Sequence, residues 1–118
     1  MNSDNGIRLE TIQQVLRFRD ERGWKQFHNP KDLAISISLE TAELLELFQW
    51  SGENVTCRNK LLNIKEELAD VLIYCIYLAD TVGIDIDTII TDKLEKNQGK
   101  YPVNLSSDTS EKYTELNR

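Results

Sequence analysis

Basic residues are scarce and scattered in this chain of 118 residues. Lys and Arg number 14 against 20 Asp and Glu, for a formal net charge of −6. Without a basic run there is no electrostatic footprint for a DNA or RNA polymer. Histidine occurs once, and no Ser, His and Asp arrangement points to a covalent nucleophile. The two cysteines, Cys57 and Cys75, have no metal-ligand spacing. Cys75 lies in an apolar run and reads as a reduced, packed thiol. The N-terminus lacks a charged-then-apolar signal pattern, and the longest charge-poor stretch is too short to cross a bilayer. These absences lead us to expect a cytoplasmic protein with no membrane partner. Sustained alternation of apolar and polar residues is also missing, so strands are not expected.

Helical patterns make up most of the rest, punctuated by few glycines and prolines. Residues 7–22 read as a first helix. Ile7, Leu9, Ile12, Val15 and Leu16 form its apolar stripe, and Arg17, Arg19 and Arg22 lie outside it. Gly23 ends this helix, and the aromatic loop WKQFHNP follows. A second helix is expected over 31–50, apolar on more than one face and so central or at a subunit interface. A turn at 51–54 leads to a third helix over 58–81, stopped by Gly83. Asp85 or Asp87 can cap a fourth over 86–98. The expected fold class is all-α, four helices, bundle-like, in one domain over 1–102 with a polar tail over 103–118. A chain this short commonly needs a partner copy to finish burying its apolar surface.

Chemistry concentrates in two pairs of carboxylates. Glu40 and Glu43 are three residues apart on the second helix, and Glu67 and Asp70 on the third. That spacing puts each pair on one helix face. Two such faces turned together would gather four oxygen donors, whose mutual repulsion calls for a cation. Hard oxygen donors at that density suit Mg²⁺ or Mn²⁺. Asp70 is the sole charge in LADVLIYCIYLA. A carboxylate buried there must meet a cation or face a cavity. No Lys or Arg occurs between Lys31 and Arg58, so nothing local offsets Glu40, Glu43 and Glu46. The bland alternative is a solvated acidic stripe. Glu66, about 100° round the helix from Glu67, reads as surface.

The pattern Glu-x-x-Glu, then Glu-x-x-Asp, resembles the signature of the all-α nucleoside triphosphate pyrophosphohydrolases, the MazG-like superfamily, and most closely its dCTP pyrophosphatase branch. FRDERGWKQFHNP (18–30), ETAELLELFQW (40–50), EELADVLIYCIYLAD (66–80) and KLEKNQGKYP (93–102) carry the resemblance. It implies that Glu40, Glu43, Glu67 and Asp70 bind Mg²⁺, and that water attacks the α-phosphorus of a nucleoside triphosphate. The products would be a monophosphate and pyrophosphate. It also implies a homo-oligomer, a tetramer, with active sites at subunit contacts. Positions matching Tyr74, Lys93, Asn97 and Tyr101 would contact phosphate or sugar. Thr41 and Ala42 stand where many relatives are expected to have a Val-Gly or similar pair.

The residues support the same chemistry independently of the resemblance. Phosphoanhydride cleavage needs charge neutralisation, in-line positioning and an activated water. Glu46, or a metal-site carboxylate such as Glu43 not fully used in coordination, is the candidate to orient or deprotonate that water. Lys93, Asn97 and Lys100 share one face of the fourth helix, with Tyr101 following. Tyr74 lies one turn beyond Asp70. Trp24, Phe27, His28 and Trp50 are the material for a flat base-binding slot, with Trp24, His28 and Trp50 the expected base contacts. dUTP, dATP or a modified dNTP are the alternative substrates. A non-catalytic helical module that binds a basic partner is the alternative outside enzymology.

Overall fold

The computed structural model describes residues 7–103. Among them are four α-helices and no strand: α1 (Leu9–Glu21), α2 (Pro30–Glu46), α3 (Leu61–Val82) and α4 (Ile86–Lys100). Short 3₁₀ turns occupy Trp24–Phe27 and Arg58–Lys60. The all-α expectation holds. The chain divides after Gly83 into two compact units, with α1 to α3 in the first and α4 in the second. Apart from Val103, the expected tail over 103–118 lies outside the described residues.

Local chemistry sets the helix ends. α1 stops at Gly23, whose φ of 67° is the left-handed conformation that favours glycine. Asn29 caps α2 by accepting a hydrogen bond from the Asp32 backbone N–H, with Pro30 in the first turn. Asp85, one of the two residues expected to cap α4, accepts from both the backbone N–H and the hydroxyl of Thr88.

α2 is four residues shorter at its C-terminus than its apolar pattern predicts. After Glu46 the backbone tightens into i→i−3 bonds, Leu47 to Leu44, Phe48 to Leu45 and Gln49 to Glu46. Trp50 then takes a φ of 67°, which no helix accommodates. Lys60 Nζ donates to the Leu47 carbonyl at 2.8 Å and satisfies one of the open acceptors at this end. Cys57, also at positive φ, precedes the 3₁₀ turn before α3, so α3 proper begins at Leu61 rather than 58.

In the first unit α2 packs mainly on α3, and α1 packs on α3 as well. Among the described residues the buried ones are few: Leu33 on α2, Cys57, and Ile76, Tyr77 and Ala79 on the C-terminal half of α3, with Arg19 on α1. Two sequence expectations need correction. Arg19 is not outside the apolar stripe but only 2% exposed, because Asp20 and Asp80 give its guanidinium two ionic partners. Cys75 is exposed rather than packed, and it is Cys57 that is buried, its thiol donating to the Asn54 carbonyl. Many large apolar side chains on α2 and α3 are uncovered, among them Leu39, Leu45, Leu62 and Leu72. α3 is therefore less enclosed than its apolar run predicts. No helix among the described residues is long and apolar enough to cross a membrane.

Candidate active site

The two carboxylate pairs face each other across the α2–α3 contact. Glu40, Glu67 and Asp70 each present one oxygen, and these oxygens lie within 4.8 Å of one another. Glu43 is within hydrogen-bond reach of both Glu40 and Glu67. One turn of helix separates the members of each pair, so both project from the same face. Glu46 closes α2 one turn further on, exposed and outside this cluster.

The cluster carries the electrostatic strain expected of it. The Glu40 carboxyl is pushed up to about 7, first by the hydrogen bond it shares with Glu43, then by burial and the charges of Glu43, Asp70 and Glu67. Glu67 is raised too, first by desolvation and then by the Glu43 charge. Oxygens Glu40 Oε2 and Glu67 Oε2 are buried, and no donor among the described residues reaches them. Glu40 therefore keeps its proton to a higher pH than an ordinary glutamate. Buried carboxylate oxygens without donors, converging with a third carboxylate, fit a hard divalent cation. The burial is distributed differently from the sequence expectation: Asp70 is exposed, whereas Glu40 and Glu67 are half-buried. Asp70 meets the other condition set for it, since it faces a cavity.

That cavity has a volume of about 380 Å³ and lies between α1 and α3. α3 contributes Asp70, Ile73, Tyr74 and Tyr77; α1 contributes Gln14, Val15 and Phe18; Trp24 adds its ring. From Asp70 to Tyr77 is seven helical residues, about 10 Å along the axis. Phe18 and Trp24 meet edge to face with ring centroids 5.6 Å apart, and Tyr74 and Tyr77 do the same at 5.8 Å. An aromatic slot thus extends away from the acidic cluster. Both size and lining suit a small-molecule site.

The other residues singled out in the sequence divide clearly. Trp24 and Tyr74 line the cavity. His28 does not; its ring lies 4.9 Å from that of Tyr77 at a tilt of 39°, and its buried Nδ1 has no partner among the described residues. Burial, then the Arg19 charge, lowers its pKa. Trp50 is 92% exposed and stands outside the cavity of its own chain, because α2 ends before it. Lys93, Asn97 and Lys100 lie on α4, and Tyr101 follows as its C-cap, the Tyr101 N–H donating to the Asn97 carbonyl at 2.8 Å. Tyr77, Phe18 and Gln14 are cavity residues the sequence reading missed. Tyr77 was within reach: Asp70, Tyr74 and Tyr77 follow the i, i+4, i+7 spacing of one helix face.

Residues 35–116 match the MazG-like family. The chain is 38% identical over 116 residues to dCTP pyrophosphatase 1 of Rattus norvegicus, which covers 93% of this chain and 68% of the relative. The Homo sapiens dCTP pyrophosphatase 1 is also 38% identical, over 114 residues, 92% of this chain and 67% of that one. Among solved structures, a pyrophosphatase from Archaeoglobus fulgidus superposes with a TM-score of 0.75 at 42% identity, covering 86% of this chain and 98% of its own. The earlier alternative of a non-catalytic module has no counterpart among these relatives. With helices, acidic cluster and sequence in agreement, this chain belongs to the MazG-like family.

Proposed function

We propose that this chain, a nucleoside triphosphate pyrophosphohydrolase, hydrolyses deoxynucleoside triphosphates with Mg²⁺, dCTP before others, in nucleotide-pool sanitation. The observation that carries the reading is the junction of an acidic cluster with an aromatic cavity at one residue, Asp70. A triphosphate held at the cluster would leave its nucleoside about 10 Å of aromatic slot along α3. Similarity to proteins named dCTP pyrophosphatase 1 supports dCTP as the substrate in this reading.

Glu40, Glu43, Glu67 and Asp70 would hold the cation. Bound Mg²⁺ would neutralise phosphate oxygens and favour loss of a proton from water. Water oxygen bonds to the α-phosphorus, the bond from that phosphorus to the bridging oxygen breaks, and pyrophosphate leaves. Glu46, or Glu43 where coordination leaves it an oxygen, accepts the water's proton. Tyr74 and Trp24 hold sugar and base in the cavity. His28 contributes through Tyr77, against which it packs. Lys93, Asn97, Lys100 and Tyr101, at the end of α4, are the further phosphate and sugar contacts in this reading. The uncovered apolar side chains on α2 and α3 support a homo-oligomer, for which a tetramer is the proposed state. Trp50 would then contact the base in another copy's cavity.

A panel of NTPs and dNTPs with Mg²⁺ in ¹⁸O-labelled water tests this. The label should enter the monophosphate, with pyrophosphate as the other product and dCTP the best substrate. Orthophosphate as the direct product, or label in pyrophosphate, contradicts attack at the α-phosphorus. A better rate with dUTP, dATP or a modified dNTP moves the substrate and leaves the reaction.

A further inference from the structure

Arg19 is the most deeply placed charge in the first unit and has no part in the chemistry above. Its Nε donates to Asp20 and its Nη1 to Asp80, each at 2.8 Å, so it joins α1 to the end of α3. Its guanidinium carbon lies 5.9 Å from the centre of the Tyr77 ring. Tyr77 is 4% exposed and closes the cavity at the end away from Asp70. Tyr74 meets it edge-on, and His28 packs on it with tilted rings. Asp80 follows Tyr77 by three residues on the same helix, and Arg19 follows Phe18 by one.

Burying a guanidinium is costly, and packed apolar residues would hold two helices together at least as well. What an ion pair adds is direction. Arg19 offers donors in a fixed plane, and Asp80 accepts along one line. The pair therefore fixes the spacing and register of α1 against α3. Those helices are the two walls of the cavity, one carrying Phe18 and the other Tyr74 and Tyr77. We infer that Arg19 and Asp80 are positioning residues, which hold Tyr77 opposite Phe18 and so set the width of the nucleoside slot. This rests on the reading that the cavity takes the nucleoside.

The test uses Asp80→Asn and Arg19→Lys in the full chain, with kinetics on dCTP and Mg²⁺ and, separately, calorimetric binding of dCMP. Asp80→Asn should raise KM and the dCMP Kd on the order of tenfold, with kcat within about twofold, because only the nucleoside end is disturbed. Arg19→Lys keeps the charge but loses the planar fork, and should fall between wild type and Asp80→Asn in both measurements. Should Asp80→Asn fail to fold, Arg19→Lys carries the same comparison. Unchanged KM and dCMP affinity in a folded variant, with only a lower melting temperature, overturns the inference. So does a fall in kcat alone. A wild-type chain that hydrolyses no nucleotide rejects the proposed function instead. Tighter dCMP binding by wild type than by Arg19→Lys would still uphold the positioning role.

Discussion

Glu40 and Glu43, one turn apart on α2, lie within hydrogen-bond reach of each other, and with burial and the charges of Glu43, Asp70 and Glu67 this holds the Glu40 carboxyl at about 7. Between about pH 4.5 and 7 the folded chain therefore holds on Glu40 a proton that the unfolded chain releases. With Glu40 at about 7 when folded against 4.5 for an ordinary glutamate, the folded form binds more protons between those values. Stability contributed by this group is thus present below about 4.5 and is lost as pH rises toward 7. Glu67, also raised, acts in the same direction. His28 opposes them, because its lowered pKa makes the folded form gain stability as pH rises toward 6.5. Comparison with Glu40→Gln separates the two. In chelator, the melting temperature of wild type should fall relative to that of Glu40→Gln between pH 5 and 7.5. Calorimetric scans would show it, and Mg²⁺ should reverse it by favouring the ionised cluster. Parallel curves for the two proteins would refute the raised Glu40 carboxyl.

Removing one carboxylate charge should separate stability from activity. Glu40→Gln and Asp70→Asn each reduce the repulsion within the cluster while keeping side-chain shape. The metal-free proteins should melt at or above the wild-type temperature. Turnover with Mg²⁺ should fall on the order of 100-fold or more, since even indirect disturbance of metal ligands costs 10–100-fold. Steady-state rates and a thermal melt on the same preparations decide this. Loss of activity accompanied by unfolding would show that these residues serve the fold instead.

The sequence was most legible where chemistry is local. The Glu-x-x-Glu and Glu-x-x-Asp pairs could be placed on helix faces by spacing alone, and the helix ends at Gly23, Gly83 and Asp85 could be read from residue type. What could not be read was burial set by pairing between helices. Arg19 looks like a surface residue until Asp80 is brought beside it from 61 positions away. Asp70 looks buried because its neighbours are apolar, yet the α3 side chains Leu68, Leu72 and Cys75 are exposed in this chain. An apolar run says that a surface is to be covered, not what covers it. Trp50 shows a further limit. Its positive φ follows from a tightened helix end held by Lys60, a contact from 13 residues further along.

Lys60 supplies a prediction about that helix end. Its ammonium donates to the Leu47 carbonyl, just beyond Glu46. Lys60→Met keeps the aliphatic stem and removes the donor. The loss should destabilise the fold by about 1–2 kcal/mol, as expected for a part-buried hydrogen bond from a charged group. Urea unfolding of the two proteins measures the difference. No shift in midpoint at constant slope would show that water replaces Lys60 at that carbonyl.

Trp24 and Trp50 should differ in the chain through which they act. Trp24 lines the cavity of its own chain, and Trp50 stands outside it. Replacing a ring that stacks on a base costs about 1–3 kcal/mol. Trp24→Leu should therefore raise KM for dCTP on the order of tenfold. If Trp50 contacts the base from a neighbouring copy, Trp50→Leu should raise KM similarly, but in a way another subunit can repair. Mixed oligomers with inactive Asp70→Asn chains make the distinction. The Asp70→Asn subunits carry an intact Trp50 and should restore a near-normal KM at the Trp50→Leu active sites. They should do nothing for Trp24→Leu, whose missing ring belongs to the same chain as its carboxylates. A mixture that behaves as the sum of its parents in both cases would remove Trp50 from the base-binding set and leave Trp24 in it.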